Sequence, residues 1–135
     1  MVKSIAMTTD LEMLVWTAGL TAIMWVPYIL AHVLKHGMTE ALTYRADAHP
    51  LEGWAARAKK AHYNAIENLA PFAVLVIVAH ITTATNEATA AASIAFFWAR
   101  LAHYVFYISN IPFTRTLTFV ISWLAMLCIF LQIVS

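Results

Sequence analysis

Four apolar stretches, near residues 11–34, 65–84, 88–109 and 116–134, are each long enough to cross the roughly 30 Å hydrocarbon core of a bilayer. In lipid, every backbone N–H and C=O must find its partner within the segment, so runs of this kind fold as helices. The chain has 135 residues, 62% of them hydrophobic and only 11% charged, with mean hydropathy +0.74. Too few polar side chains remain to clothe a water-soluble domain of this size. The expectation is an all-α integral membrane protein, one domain over residues 1–135, built as a bundle of four transmembrane helices. The first stretch does not read as a cleaved signal peptide. It lacks a basic segment directly before it, is too long for a signal core and shows no small-x-small cleavage pattern.

Charge placement sets the orientation. Lys35, Arg45, Arg57, Lys59 and Lys60 lie between the first and second spans, Arg115 lies between the third and fourth, and Lys3 alone precedes the first. Positive-inside logic puts both connections in the cytoplasm and both termini outside, in an inner or plasma membrane. Trp25, Tyr28 and Trp54 are candidates for a cytoplasmic aromatic belt. The net charge of +1 carries no basic tail, which argues against nucleic acid as a partner. A single cysteine, Cys128 in the fourth span, excludes an intramolecular disulfide and reads as a small apolar core residue. The histidines have no recognisable metal spacing, so no metal site is expected.

Pro50 and Gly53 suggest a turn, followed by a helix from about residue 52 to residue 84. Its first turns project into the cytoplasm, because the whole helix exceeds the membrane thickness. Arg57, Lys60, Asn64, Glu67, Asn68 and Pro71 fall on one face of it. A carboxylate and two amides just inside a bilayer are expensive; an acidic residue at the centre of a span costs about 2.5–3.5 kcal/mol to insert. The stripe is therefore expected to face protein or a polar ligand. Pro71 cannot donate to the carbonyl of Glu67, which frees an acceptor beside that carboxylate. His62 lies on the opposite side of the helix.

The third span opens with small residues (Ala88, Ala90, Ala91, Ala92, Ser93 and Ala95), which permit close helix approach in lipid. Further along, Arg100, His103, Tyr104 and Tyr107 share a face. A deep arginine needs a partner. Glu67 is the carboxylate at matching depth, so a Glu67–Arg100 ion pair that only ties helices together is one reading. A ligand site is the other. Arg115, followed by Thr116, stands at the start of the fourth span, where a topology-setting arginine would be unremarkable. Taken together these residues offer cations, one carboxylate, amides and phenols at the cytoplasmic ends of apolar helices. That inventory suits a small zwitterion with excess negative charge, with lateral access for a lipophilic second molecule.

The run RAKKAHYNAIENLAPF, residues 57–72, resembles the second-span motif of the MAPEG family, the membrane-associated proteins of eicosanoid and glutathione metabolism. The family pattern R-x-x-[RK]-A-H-x-N-x-x-E-N-x-x-P-F, closest to the microsomal glutathione transferase type, is met by Arg57, Lys60, Ala61, His62, Asn64, Glu67, Asn68, Pro71 and Phe72. The run ARLAHYVFY, residues 99–107, resembles the family's A-R-x-x-H-x-x-x-Y. The resemblance implies a four-helix subunit assembled as a homotrimer, with glutathione as cosubstrate bound between neighbouring subunits at the cytoplasmic side. It implies that Arg57, Lys60, Asn64 and Glu67, with Asn68 and Arg100 on the same two helix faces, bind glutathione, and that His103 and Tyr107 line the site. Arg115, with Thr116, falls where the family's thiol-activating arginine lies. Lys60 stands where many members have arginine, and Lys35 where many have another. The activity implied is attack of the glutathione thiolate on a lipophilic electrophile or hydroperoxide.

Two other functions compete. One is a non-catalytic membrane protein that binds lipid or glutathione. The other is a small transporter using Glu67, Arg100 and His103 as a relay, which needs polar groups in the outer halves of the spans; the sequence offers only scattered Thr and Ser there.

Overall fold

The computed structural model describes residues 6–43 and 49–135, and every described element is helical. Lys3 and Arg45, used above to orient the chain, lie outside those residues. The helices are α1 (Thr9–Ile23), α2 (Val26–His36), α3 (Met38–Thr43), α4 (Gly53–Ile81), α5 (Glu87–Ser109) and α6 (Thr114–Val134). Four helical passes are long and apolar enough to cross a membrane: Thr9–His36, Gly53–Ile81, Glu87–Ser109 and Thr114–Val134.

The first pass is two helices rather than one. Pro27, at the second position of α2, has no N–H to give to the carbonyl of Ile23, and the ladder breaks at Met24 and Trp25. The side chain of Tyr104 takes up one acceptor left by the break, its hydroxyl donating to the Met24 carbonyl at 2.9 Å. Gly37, at φ 90°, ends α2, and Gly53, at φ 58°, opens α4; both use backbone regions that a side chain resists. Helix α4 runs on through Pro71 without interruption. The turn before α5 is fixed by a reciprocal cap. Asn86 Oδ1 accepts from the N–H groups of Ala88 and Thr89, and Thr89 Oγ1 accepts from the Asn86 N–H. The Asn86 amide also donates to Gln132 Oε1 at 2.7 Å, which pins the start of α5 to the end of α6.

The bundle is apolar outside and partly polar inside. Val15, Trp16, Trp98, Leu117 and Trp123 are exposed, whereas Asp10, Thr17, Thr21, Thr89, Ser93, Arg100, His103, Thr118 and Ser122 are buried. In water that arrangement would be the wrong way round; in a bilayer it is what lipid-facing apolar surface and inward polar groups require. The chain is thus an integral membrane bundle. Its dry centre lies in the half nearer the α4–α5 turn, where Phe72, Val76, Ala79, Phe96, Met126 and Ile129 from α4, α5 and α6 pack together. Phe72 and Phe96 stack with ring centroids 3.8 Å apart.

Three expectations change. Tyr28 is no belt residue: it is 5% exposed, with its hydroxyl 2.8 Å from His62 Nδ1, whereas Trp25 and Trp54 are exposed. Cys128 is half-buried, its sulfur 4.0 Å from the Ala88 carbonyl. The outer halves carry more than Thr and Ser. Asp10 is 2% exposed and accepts from Ser93 Oγ at 3.1 Å. It lies just before the apolar run of the first span, in the first turn of α1, where the helix dipole favours a carboxylate.

The stacked phenylalanines predict a clear contrast. Phe96→Ala leaves a cavity that lipid cannot fill and lowers stability by about 3 kcal/mol, while Trp98→Ala on the lipid side changes it by less than about 0.5 kcal/mol. Thermal unfolding in detergent separates the two.

Candidate functional site

The polar residues of α4 and α5 divide between an inward group and an outward one. Asn64 and Asn68, four residues apart, sit on the side of α4 that faces the bundle, and Asn68 is buried. The Asn68 amide donates to the Asn64 carbonyl at 2.8 Å. Asn64 Oδ1 in turn accepts from an Arg100 guanidinium nitrogen at 2.6 Å. Arg100 reaches the other way to Ser122 Oγ on α6, at 3.4 Å, and is itself 2% exposed. One guanidinium thus joins α4, α5 and α6. Its Nε, buried, has no hydrogen-bond partner among the described residues.

The Glu67–Arg100 pair is not formed. Glu67 is three residues beyond Asn64, a rotation of about 60° around the helix, and this carries its carboxylate to the exposed face. The amide therefore takes the arginine. Burying a guanidinium on neutral acceptors in place of a carboxylate leaves a net positive charge inside the bundle. Lys60 is exposed on the same outward side as Glu67.

One turn nearer the C-terminal end of α5, His103 is 3% exposed and packs edge-on against Tyr107, with ring centroids 5.5 Å apart. The Arg115 guanidinium lies 5.2 Å over the face of Tyr107, close enough for a cation–π contact. His103 Nδ1 is buried with no hydrogen-bond partner among the described residues. Arg115 and Thr116 are both exposed at the start of α6. Arg57 Nε donates to the Ile108 carbonyl at 2.9 Å, tying α4 to the end of α5. Tyr104 is committed to Met24, and Lys35 lies exposed in the last turn of α2.

The fold therefore brings Asn64, Asn68 and Arg100 together, and separately His103, Tyr107 and Arg115. It leaves Lys60, Glu67 and Thr116 on the outside of the single chain. Sequence reasoning missed Ser122, which reads as an ordinary serine in an apolar run until the helices are assembled. It also missed a cavity of about 420 Å³ between α2, α3 and the first turns of α4, which Lys59 and Lys60 line. The donor set suits an anionic, hydrogen-bonding ligand of glutathione's kind: two guanidinium groups, an unpartnered Nε, an unpartnered imidazole nitrogen and amides, with the Glu67 carboxylate free to meet an ammonium.

Comparison with curated proteins and with solved structures gives no match for this chain. A family model does match, under the description MAPEG family, and it covers residues 13–135. With that coverage, an all-helical membrane bundle and the residue pattern on α4 and α5, the chain belongs to the MAPEG family.

Proposed function

We propose that the protein is a glutathione-dependent transferase or peroxidase of the microsomal glutathione transferase type, acting on a lipophilic electrophile or hydroperoxide drawn from the membrane. The observation that carries this reading is that Lys60 and Glu67 are exposed on α4 beside the apolar surface of Ile66, Val74 and Ile77. A carboxylate facing hydrocarbon costs about 2.5–3.5 kcal/mol, so this face requires a cover. A homotrimer provides one. A second copy packed on α4 encloses the stripe and turns it into a polar cleft at the cytoplasmic ends of the helices, with the termini on the opposite side. Membership of the MAPEG family is compatible with the same chemistry.

Arg57, Lys60, Asn64, Asn68 and Arg100 hold the carboxylates and peptide groups of glutathione, Glu67 meets its ammonium, and His103 and Tyr107 close the wall. Glutathione supplies a thiol whose deprotonated sulfur is the nucleophile. A thiol of pKa near about 8.5 is mostly protonated at neutral pH. The fixed positive charge of Arg115, held over Tyr107 at 5.2 Å, favours the anion, and Thr116 adds a hydroxyl donor. Charge placed in advance where an anion must be stabilised requires no reorganisation during reaction.

A relay through the bundle has less support. Asp10 and Ser93 form a polar pair in the outer half, but Phe96 stands between Ser93 and Arg100 on the same face of α5, and it is closed against Phe72.

Isothermal calorimetry with glutathione on the detergent-solubilised protein tests the reading. Saturable binding is expected, and a folded protein that does not bind overturns it in favour of a lipid-binding role. Glu67→Gln weakens binding without lowering the melting temperature, because Glu67 holds no other residue of its own chain. Asn64→Ala lowers both, because it also releases Arg100, whose charged hydrogen bond is worth about 1.5–3 kcal/mol. Arg115→Ala cuts turnover by about 10²-fold with a much smaller change in glutathione affinity; an unchanged rate removes Arg115 from thiol activation.

A further inference from the structure

The cavity between α2, α3 and the first turns of α4, about 420 Å³ in volume, shares Lys60 with the stripe and otherwise lies apart from it. Lys59 is two residues from Arg57, about 200° around α4, and it faces away from Asn64 and Asn68. Ile29, Leu51 and Ala56 give the cavity an apolar wall, and Lys59 and Lys60 give it a cationic rim beside His32. The Lys59 ammonium lies 5.5 Å over the ring of Tyr63. Neither lysine pairs with a carboxylate among the described residues.

Among the described residues one acidic group lines it. Glu40 Oε1 is buried in the wall with no hydrogen-bond partner among the described residues, 4.0 Å from His49 Nε2. The cavity thus presents excess positive charge, an apolar floor and one buried acceptor that requires a donor. Its depth fits as well. The apolar part of α4 begins near Ala65, six residues beyond Lys59, which sets the lysine about 9 Å above that level. Basic pockets at this level on the cytoplasmic side attract anionic lipid headgroups.

We propose that this cavity seats the headgroup of an anionic, hydroxyl-bearing phospholipid. The phosphate lies at Lys59, a headgroup hydroxyl donates to Glu40, and the first methylenes rest on Ile29 and Leu51. A zwitterionic choline headgroup has the phosphate but cancels its charge with a quaternary ammonium beside the lysines, and it brings no donor for Glu40.

The test uses full-length protein in a neutral detergent, with phosphatidylglycerol, phosphatidylcholine and inorganic phosphate as probes, read by melting temperature and by native mass spectrometry of retained lipid. Phosphatidylglycerol is expected to raise the melting temperature saturably and to remain bound, while phosphatidylcholine and phosphate do neither. Lys59→Gln should weaken the apparent affinity by about five-fold, with Lys59→Arg restoring it. Ala56→Leu, which fills the cavity, should abolish the effect. Glutathione affinity should be unchanged in Lys59→Gln, which separates this site from the stripe. Equal responses to the two lipids, a response to phosphate alone, or wild-type lipid affinity in Lys59→Gln would each overturn the proposal. Lys59→Gln removes a charge from a half-buried side chain without changing the packing of the apolar wall, and keeps the test decisive even where Ala56→Leu fails to fold.

Discussion

Arg100 is buried where three helices meet, and its guanidinium is held by an amide on one side and a hydroxyl on the other. In a bilayer, lipid tails solvate an apolar side chain about as well as a neighbouring helix does, so hydrophobicity alone does little to select one packing over another. A buried guanidinium does select. It tolerates few positions, and the positions it tolerates are those that bring Asn64 and Ser122 within reach. The rotation of α4 about its axis is fixed by that contact. The rotation then determines that Asn68 points inward and that Glu67 points out.

The proposed function rests on this outward carboxylate. A helix optimised only for its own bundle would carry a leucine there. The chain instead keeps Lys60 and Glu67 on a surface that a single copy cannot cover. The inner polar group has the opposite character. Asn64, Asn68, Arg100 and Ser122 are largely satisfied by one another, and they make a rigid back wall for whatever occupies the outer face.

The four spans were legible in the sequence because length and apolarity suffice to specify them, and the residues of the two polar faces stood out for the same reason: polar groups in apolar runs are conspicuous. What the sequence did not convey was which way each one points. Asn64 and Glu67 are separated by only about 60° on the helix, and the choice of Arg100 between them depends on where α5 is set, which no single helix encodes. Ser122 and Asp10 escaped notice for a related reason. One is a common small residue, and the other falls a residue before the apolar run that marks its span. The break at Met24 and Trp25 was missed because Pro27 lies within continuous apolar sequence, where hydropathy does not distinguish a straight helix from a divided one.

That divided first pass also affects how the protein fits its membrane. Helix α1 has 15 residues, about 22 Å at 1.5 Å per residue, against a hydrocarbon core of roughly 30 Å. It cannot span alone, so α2 must complete the crossing, and the distance covered depends on the angle between the two as well as on the number of residues. Helices α4, α5 and α6 are continuous rods whose lengths are set by their sequences. Hydrophobic mismatch with a thinner or thicker bilayer is therefore absorbed by bending at one joint, while the three helices that Arg100 holds together keep their tilt.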